Sequence, residues 1–301
     1  MPDINTVRQD KLLSNLSVKY RNKSFIAAEV FPFVPVKKNS DIYRVYSRQF
    51  RLPSTSRAIG ASSREHTFEI STSSYVLEKH GLKDYIPDDT KDNYDIGDLR
   101  ADTTEELTDT ILRRMEKSFL DLFTTTSWSQ NQSLATAALW SANTTVSNPI
   151  LPVDTATSTI LLNSGEMPNM GLIGFNNLVI TKNHISILDR VKHTSKEMTE
   201  AMLAALFGLE KIAVSKAGLD SAAKGETASV AFMMNNQFWV GNTKARPSLK
   251  TQTAGAIFRK NKPLVKRWRD EDRESEVVEV NMQYQVRVIS SLSGFLIAGI
   301  T

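Results

Sequence analysis

Any chemistry this chain performs has to start from its clustered acids, its histidines and one basic run. Asp88, Asp89, Asp92, Asp95 and Asp98 offer carboxylates at a density that suits a calcium loop. The ligand order of such a loop is missing, no glutamate closes it, and Gly97 comes too late to make its central turn. The cluster therefore reads as a turn and a helix start. His66, His80, His184 and His193 never fall into HxxxH or HExxH spacing, and read as surface or capping residues. With no cysteine there is no disulfide, thiolate ligand or cysteine nucleophile. No GxGxxG, GxxxxGK[ST] or GxSxG occurs, and Gly171-Leu172-Ile173-Gly174 reads as a loop. The basic group from Arg259 to Arg269, with Trp268, has the residue types of a nucleic-acid surface. It runs straight into Asp270, Glu271 and Asp272, so it reads as a solvated or intersubunit turn. The expectation is no catalytic, cofactor or metal site, and no enzyme.

The elements are better defined than the chemistry. From Leu99 to Phe123, Leu107, Ile111, Met115, Phe119 and Leu122 recur at helical spacing, with Leu112 and Phe123 beside them. Acids crowd the start of this stretch and Arg113, Arg114 and Lys117 follow, the order a helix dipole favours. This is the longest helical signal in the chain and predicts a spine. Before it, Phe25 to Val36 is an apolar arm that Pro32 and Pro35 hold extended, expected to lie along something other than the central core. Asp41 to Arg48 and Thr67 to Leu77 alternate as two strands of a long hairpin, whose tip carries Arg51, Arg57 and Arg64.

Beyond the spine, Trp128 and Trp140 in a polar stretch predict an irregular but ordered piece, and Pro149 marks the start of an α/β insert. The insert is expected to hold a helix closed by Gly165 and a strand at Asn177–Thr181. Helices through Ile185–Val191 and Lys196–Phe207 follow, then strands at Lys211–Ser215, Ser229–Met234 and Phe238–Gly241. A strand at Ala254–Lys260 leads out to the charged turn. Val277 to Ile289 then alternates as one long strand, and Phe295–Ile300 is expected to return against it as a terminal hairpin packed on the spine. With 301 residues, 41% of them hydrophobic, the chain can bury a sizeable core; its net charge of +4 decides little about partners. Met1 is followed by polar sequence, and no apolar run approaches the roughly 18–20 residues of a membrane span, so neither leader nor span is expected.

In this order the parts resemble the major capsid proteins of tailed bacteriophages, of the HK97 fold. The segment from Phe25 to Val36 is similar to that family's arm, and Asp84 to Asp95 followed by Leu99 to its approach to the spine. Met115-Glu116-Lys117 resembles its spine continuation, while Met198 to Val214 and Pro247-Ser248-Leu249 through Gly255 resemble its axial domain. Trp128 to Asn148 has no counterpart. The resemblance implies an α+β chain with an N-terminal arm (1–40), an extended hairpin loop (41–85), a peripheral domain with the spine helix (86–148 and 258–301) and an inserted axial domain (149–257). It implies a virion protein, assembled in the host cytoplasm, that forms hexamers and pentamers of an icosahedral head around double-stranded DNA held by non-specific electrostatics. Scaffolding and portal proteins would be partners, and no membrane would be involved. An encapsulin-like shell shares the fold, and an enzyme with an unrecognised site is the reading from another class. In a shell, the intersubunit contacts are expected from Phe31, Phe33 and Val34 of the arm. The others are Arg48, Arg51, Arg57 and Arg64 of the hairpin, and Asp98, Asp102, Glu105 and Glu106 at the helix start.

Overall fold

The computed structural model describes residues 8–9, 25–46, 54–63, 65, 70–92, 98–192, 198–223, 225–244 and 252–301. Its spine is a 22-residue helix, Leu99–Leu120. Asp98 starts it by accepting the Arg100 N–H at 3.1 Å, and Asp109 and Arg113 pair along it at 2.7 Å. Ile111, Met115, Phe119 and Leu120 are buried, as the spacing predicts, and Leu107 and Leu112 pack against the same cluster. The stripe also runs through residues that look polar in sequence. Thr103, Thr104 and Thr108 are buried because each hydroxyl donates to the carbonyl four residues back, at 2.8, 2.7 and 2.6 Å. A threonine satisfied in this way presents only its methyl group to the core.

The spine lies on a six-stranded sheet whose axis is β14, Ser275–Val288. Val278, Val280, Met282 and Tyr284 of β14 are buried in alternation, as the period of two requires. Along one edge β12 (Gly255–Arg259) and β13 (Leu264–Asp270) pair with β14 in succession, and β5 (Glu78–Pro87) pairs along the other. The short strands β2 (Phe33–Pro35) and β1 (Arg8–Gln9) extend the sheet beyond β12 and β13. The run expected as a charged turn is therefore largely strand, with only Glu271–Arg273 turning. Its cations lie in register with acids, Lys266 opposite Glu279 and Arg269 opposite Glu276, while Val265 is wholly buried.

A second, five-stranded sheet runs in the order β6 (Asn131–Ser133), β15 (Gly294–Ala298), β11 (Gln237–Gly241), β7 (Met170–Gly174), β8 (Lys211–Ser215). The last strand is thus not a hairpin partner of β14. Phe295, Leu296 and Ile297 are apolar on both faces, which suits a strand covered on both sides, and the turn at Ser291–Ser293 delivers it to β11. The strand expected at Asn177–Thr181 is instead part of a helix, Phe175–Lys182. The strand precedes it, at the glycine-bearing stretch expected as a loop. Gly174 is needed there, because a Cβ would sit 2.2 Å from the Met234 carbonyl oxygen. The helix Ile150–Ser164 ends at Gly165 in the left-handed region, φ 69°, as expected.

Helices 150–164, 175–182, 185–191 and 200–206 contribute Val153, Leu178, Ile187 and Leu203 to one cluster, over Ile173, Phe238 and Ile297 of the second sheet. The opposite face of that sheet, through Leu172, Trp239 and Leu296, joins the cluster under the spine. An aromatic run seals the junction: Phe31 meets Phe119 edge-on at 5.0 Å, Phe123 meets Trp239 at 5.3 Å, and Trp128 lies 5.2 Å from Trp239. Each such pair adds about 0.5–1.5 kcal/mol beyond burial. Trp128 and Trp140 are wholly buried, so the polar stretch around them is ordered structure, formed of β6 and two short 3-10 turns.

The arm departs from expectation. Ile26, Ala27, Val30 and Phe31 belong to the core, Ala27–Val30 forms one turn of helix, and β2 pairs in parallel with β12. The prolines do hold it extended after Phe31, where Phe33, Val34 and Val36 are only half-buried, but Ile26, Ala27, Val30 and Phe31 are buried within their own subunit.

Candidate assembly surfaces

The hairpin pairs from Ser40↔Val76 to Tyr46↔Ile70, joining β3 (Ser40–Tyr46) to β4 (Ile70–Val76). Its root is fixed by aromatic contact: Tyr75 stacks on Phe258 at 4.8 Å and Tyr43 lies 5.4 Å from the same ring. Two hydrogen bonds add to this, Leu77 N–H to the Asn39 carbonyl at 2.7 Å and Val76 N–H to Gln285 Oε1 at 2.9 Å. Residues 54–63 beyond it are exposed throughout, including Ile59. The subunit thus anchors the base of a projection whose described tip it leaves uncovered.

Of the expected contact residues, Arg48, Arg51 and Arg64 lie outside the described residues. Arg57 is exposed and donates to Ser63 Oγ at 3.0 Å within its own loop. Phe31 is corrected: with no exposed surface it is a core residue and has nothing to offer a neighbour. Phe33 and Val34 are half-buried on the outer strand β2, with the Arg259 guanidinium 4.1 Å over the Phe33 ring. Asp98 is occupied as the helix cap, while Asp102 and Glu106 are exposed and Glu105 half-buried along the first turns. Nearby, Glu276 gathers Arg100 at 2.8 Å, Arg267 at 3.0 Å and Lys91 at 3.8 Å, tying the helix start to β13 and β14.

Of the acidic cluster, Asp95 lies outside the described residues, and Asp88 is used in the same way. Asp88 accepts both terminal nitrogens of Arg269, at 3.1 and 2.8 Å, and these bonds hold its carboxyl below the usual range. Among the described residues no group of three or more His, Asp or Glu is placed to hold a metal, and no helix is long and apolar enough to cross a membrane.

Two polar groups are built into the interior: His184, expected as a surface or capping residue and found as a buried helix cap, and Glu116, which the sequence did not flag. His184 Nε2 lies 2.9 Å from Ser147 Oγ, the distance of a nucleophile and its base. Its Nδ1 accepts the Ser186 N–H at 3.2 Å, so no carboxylate orients the ring from that side, and both residues are about 1% exposed. The arrangement is a helix cap: Ser147 Oγ donates to the Thr144 carbonyl, and Asn143 Oδ1 takes the Ile185 N–H at 2.8 Å. Burial lowers the His184 pKa and keeps the ring neutral. The second group is Glu116 of the spine, whose carboxylate accepts the N–H groups of Ile26 (3.2 and 3.1 Å) and Ala27 (2.8 Å).

The built features are thus a rigid two-sheet body and an anchored projection. The chain is 26% identical to the major capsid protein of Burkholderia phage BcepMu over 97% of its own length and 96% of the relative's. The major capsid protein of Pseudomonas phage JBD67 is 29% identical over 73% of the chain and 72% of its own length. A phage-related protein from Bordetella bronchiseptica RB50 superposes with a TM-score of 0.76 at 24% identity, covering 97% of each chain. The capsid of cyanophage P-SCSP1u superposes with a TM-score of 0.66 at 10% identity, covering 93% of this chain and 89% of the other. No profile of a known protein family matches. Relatives named as phage major capsid proteins, together with a fold shared with solved phage capsids of the HK97-like type, thus support a capsid-forming structural role for the chain.

Proposed function

We propose that the chain forms hexamers and pentamers of an icosahedral phage head that encloses double-stranded DNA. The observation that carries this reading is the β3–β4 hairpin, fixed at its root by Tyr43, Tyr75 and Phe258 and uncovered from residue 54 to 63. A projection held rigid at its base and bare at its tip suits a subunit that completes its contacts on a neighbour. In this reading the helices over the second sheet meet their copies around the capsomer axis. Arg57 of the hairpin faces carboxylates such as Asp102, Glu105 and Glu106 of an adjacent spine. Individual exposed pairs of this kind contribute about 0–1 kcal/mol, so the contact gains strength from repetition across the shell and weakens with salt. DNA is held by non-specific electrostatics, and scaffolding and portal proteins direct the assembly in the host cytoplasm. A shell that carries protein cargo is the runner-up.

Nuclease treatment of purified particles, followed by extraction, separates the two readings. Particles matured with the phage's packaging proteins retain nuclease-resistant double-stranded DNA if the head reading holds. Particles that contain a defined protein and no nucleic acid overturn it.

A further inference from the structure

Helix 150–164 turns Val153, Ala156 and Ile160 into the core of the second sheet and shows solvent a face with almost no charge. Leu151, Thr155, Ser158 and Leu162 follow one another along that face at helical spacing, and all four are exposed, the leucines at 60% and 74%. The hydroxyls on this face are already occupied. Thr155 donates to the Leu151 carbonyl at 2.9 Å, Ser158 to the Thr155 carbonyl at 2.9 Å, and Thr159 beside them to that same carbonyl at 2.7 Å. Hydroxyls turned back in this way leave carbon atoms outward, so the face can lose water without stranding a donor. Asp154, on one flank, is the only charged residue of the helix. A phosphate backbone or a basic tail would find a single carboxylate here, which sets both aside as occupants.

The order of leucine, hydroxyl, hydroxyl, leucine reads the same from either end. Leu151 and Leu162 stand equally far from the midpoint of the face, and so do Thr155 and Ser158. A twofold axis through that midpoint sets two copies antiparallel, with Leu151 of one against Leu162 of the other and Thr155 against Ser158. Small residues at the centre let the two backbones approach, and the leucines close over both ends. The helix is also well placed for this. It packs over β15 and β11, on the side of the second sheet next to the spine, whereas helices 175–182 and 200–206 lie towards β7 and β8 at the far side.

We propose, on the capsid reading given above, that helix 150–164 pairs with its own copy across a twofold axis, as an antiparallel contact between neighbouring capsomers. The other helices of the layer are left to meet around the capsomer axis. One helix face is smaller than the roughly 800 Å2 per partner of a stable pair. Isolated subunits therefore stay apart, and the contact forms when a shell holds copies side by side.

The chain has no cysteine, so Leu151→Cys/Leu162→Cys introduces the only thiols. Assembled particles of this variant are treated with a short bis-maleimide and run on a denaturing gel, with each single variant alongside. The expected result is a cross-linked dimer and nothing larger, because two links join the same two copies. Neither single variant should cross-link, since in this pairing the same position in two copies is offset by about 16 Å along the helix. A ladder of higher multimers shows head-to-tail contact and overturns the proposal, as does the absence of any cross-link. Should the double variant not assemble, the particle yield of Leu162→Asp decides. A fall of at least about tenfold with an unchanged thermal transition of the subunit supports the pairing, and a native yield overturns it. Native particles without the cross-link overturn the pairing alone; a native chain that forms no particles overturns the capsid reading as well.

Discussion

Phe31 and Glu116 fix the same segment by opposite physics, one by apolar burial and one by backbone hydrogen bonds to a buried acid. Replacing Phe31 or Phe119 with Ala empties a site where the rings meet at 5.0 Å, and should cost about 3–5 kcal/mol in denaturant unfolding. Lys117→Ala, on the outer side of the spine, should stay within about 0.5 kcal/mol. His184 gives a second test at this scale. Because burial lowers its pKa in the fold, the unfolded chain takes up the proton first, and stability should fall as pH drops below about 6.5. In His184→Gln that acid-side loss, measured by urea unfolding at pH 7 and pH 5, should shrink. The spine's apolar stripe was legible because helical spacing is local. His184 read as a surface or capping residue and does cap a helix, but its Ser147 partner and the role of Glu116 were not legible, since a lone polar residue carries no sign of partners 37 and 90 residues away.

Among the elements, local periodicity identified the spine, the β3–β4 hairpin and the alternation of β14, and misread what depends on distant pairing. Leu178-Val179-Ile180 looked like a strand, yet the helix 175–182 sets Leu178 inward and Val179 outward. β13 looked like a turn because most of what answers its charges is distant in sequence, Glu276 for Arg267 and Asp88 for Arg269. The arm looked detachable because Pro32 and Pro35 hold its outer part extended, although Ile26, Ala27, Val30 and Phe31 are core. Deleting residues 1–36 should therefore abolish the cooperative thermal transition and the near-ultraviolet circular dichroism of the subunit. A truncated chain that still melts cooperatively would contradict the placement of that segment.

For the whole molecule, the order of parts was visible in sequence: arm, hairpin, spine, α/β stretch and long returning strand. The sheet to which the final strand belongs was not, because β15 joins strands at 131–133 and 237–241 rather than its neighbour in sequence. The resulting body carries an uncovered projection, and the account reads it as one tile of a closed shell. Electron microscopy of the purified full-length chain, across protein concentration and ionic strength, tests this most directly. The account predicts closed particles of uniform size with sixfold and fivefold clusters of subunits; dispersed single subunits under every condition, with scaffolding protein supplied, would contradict it.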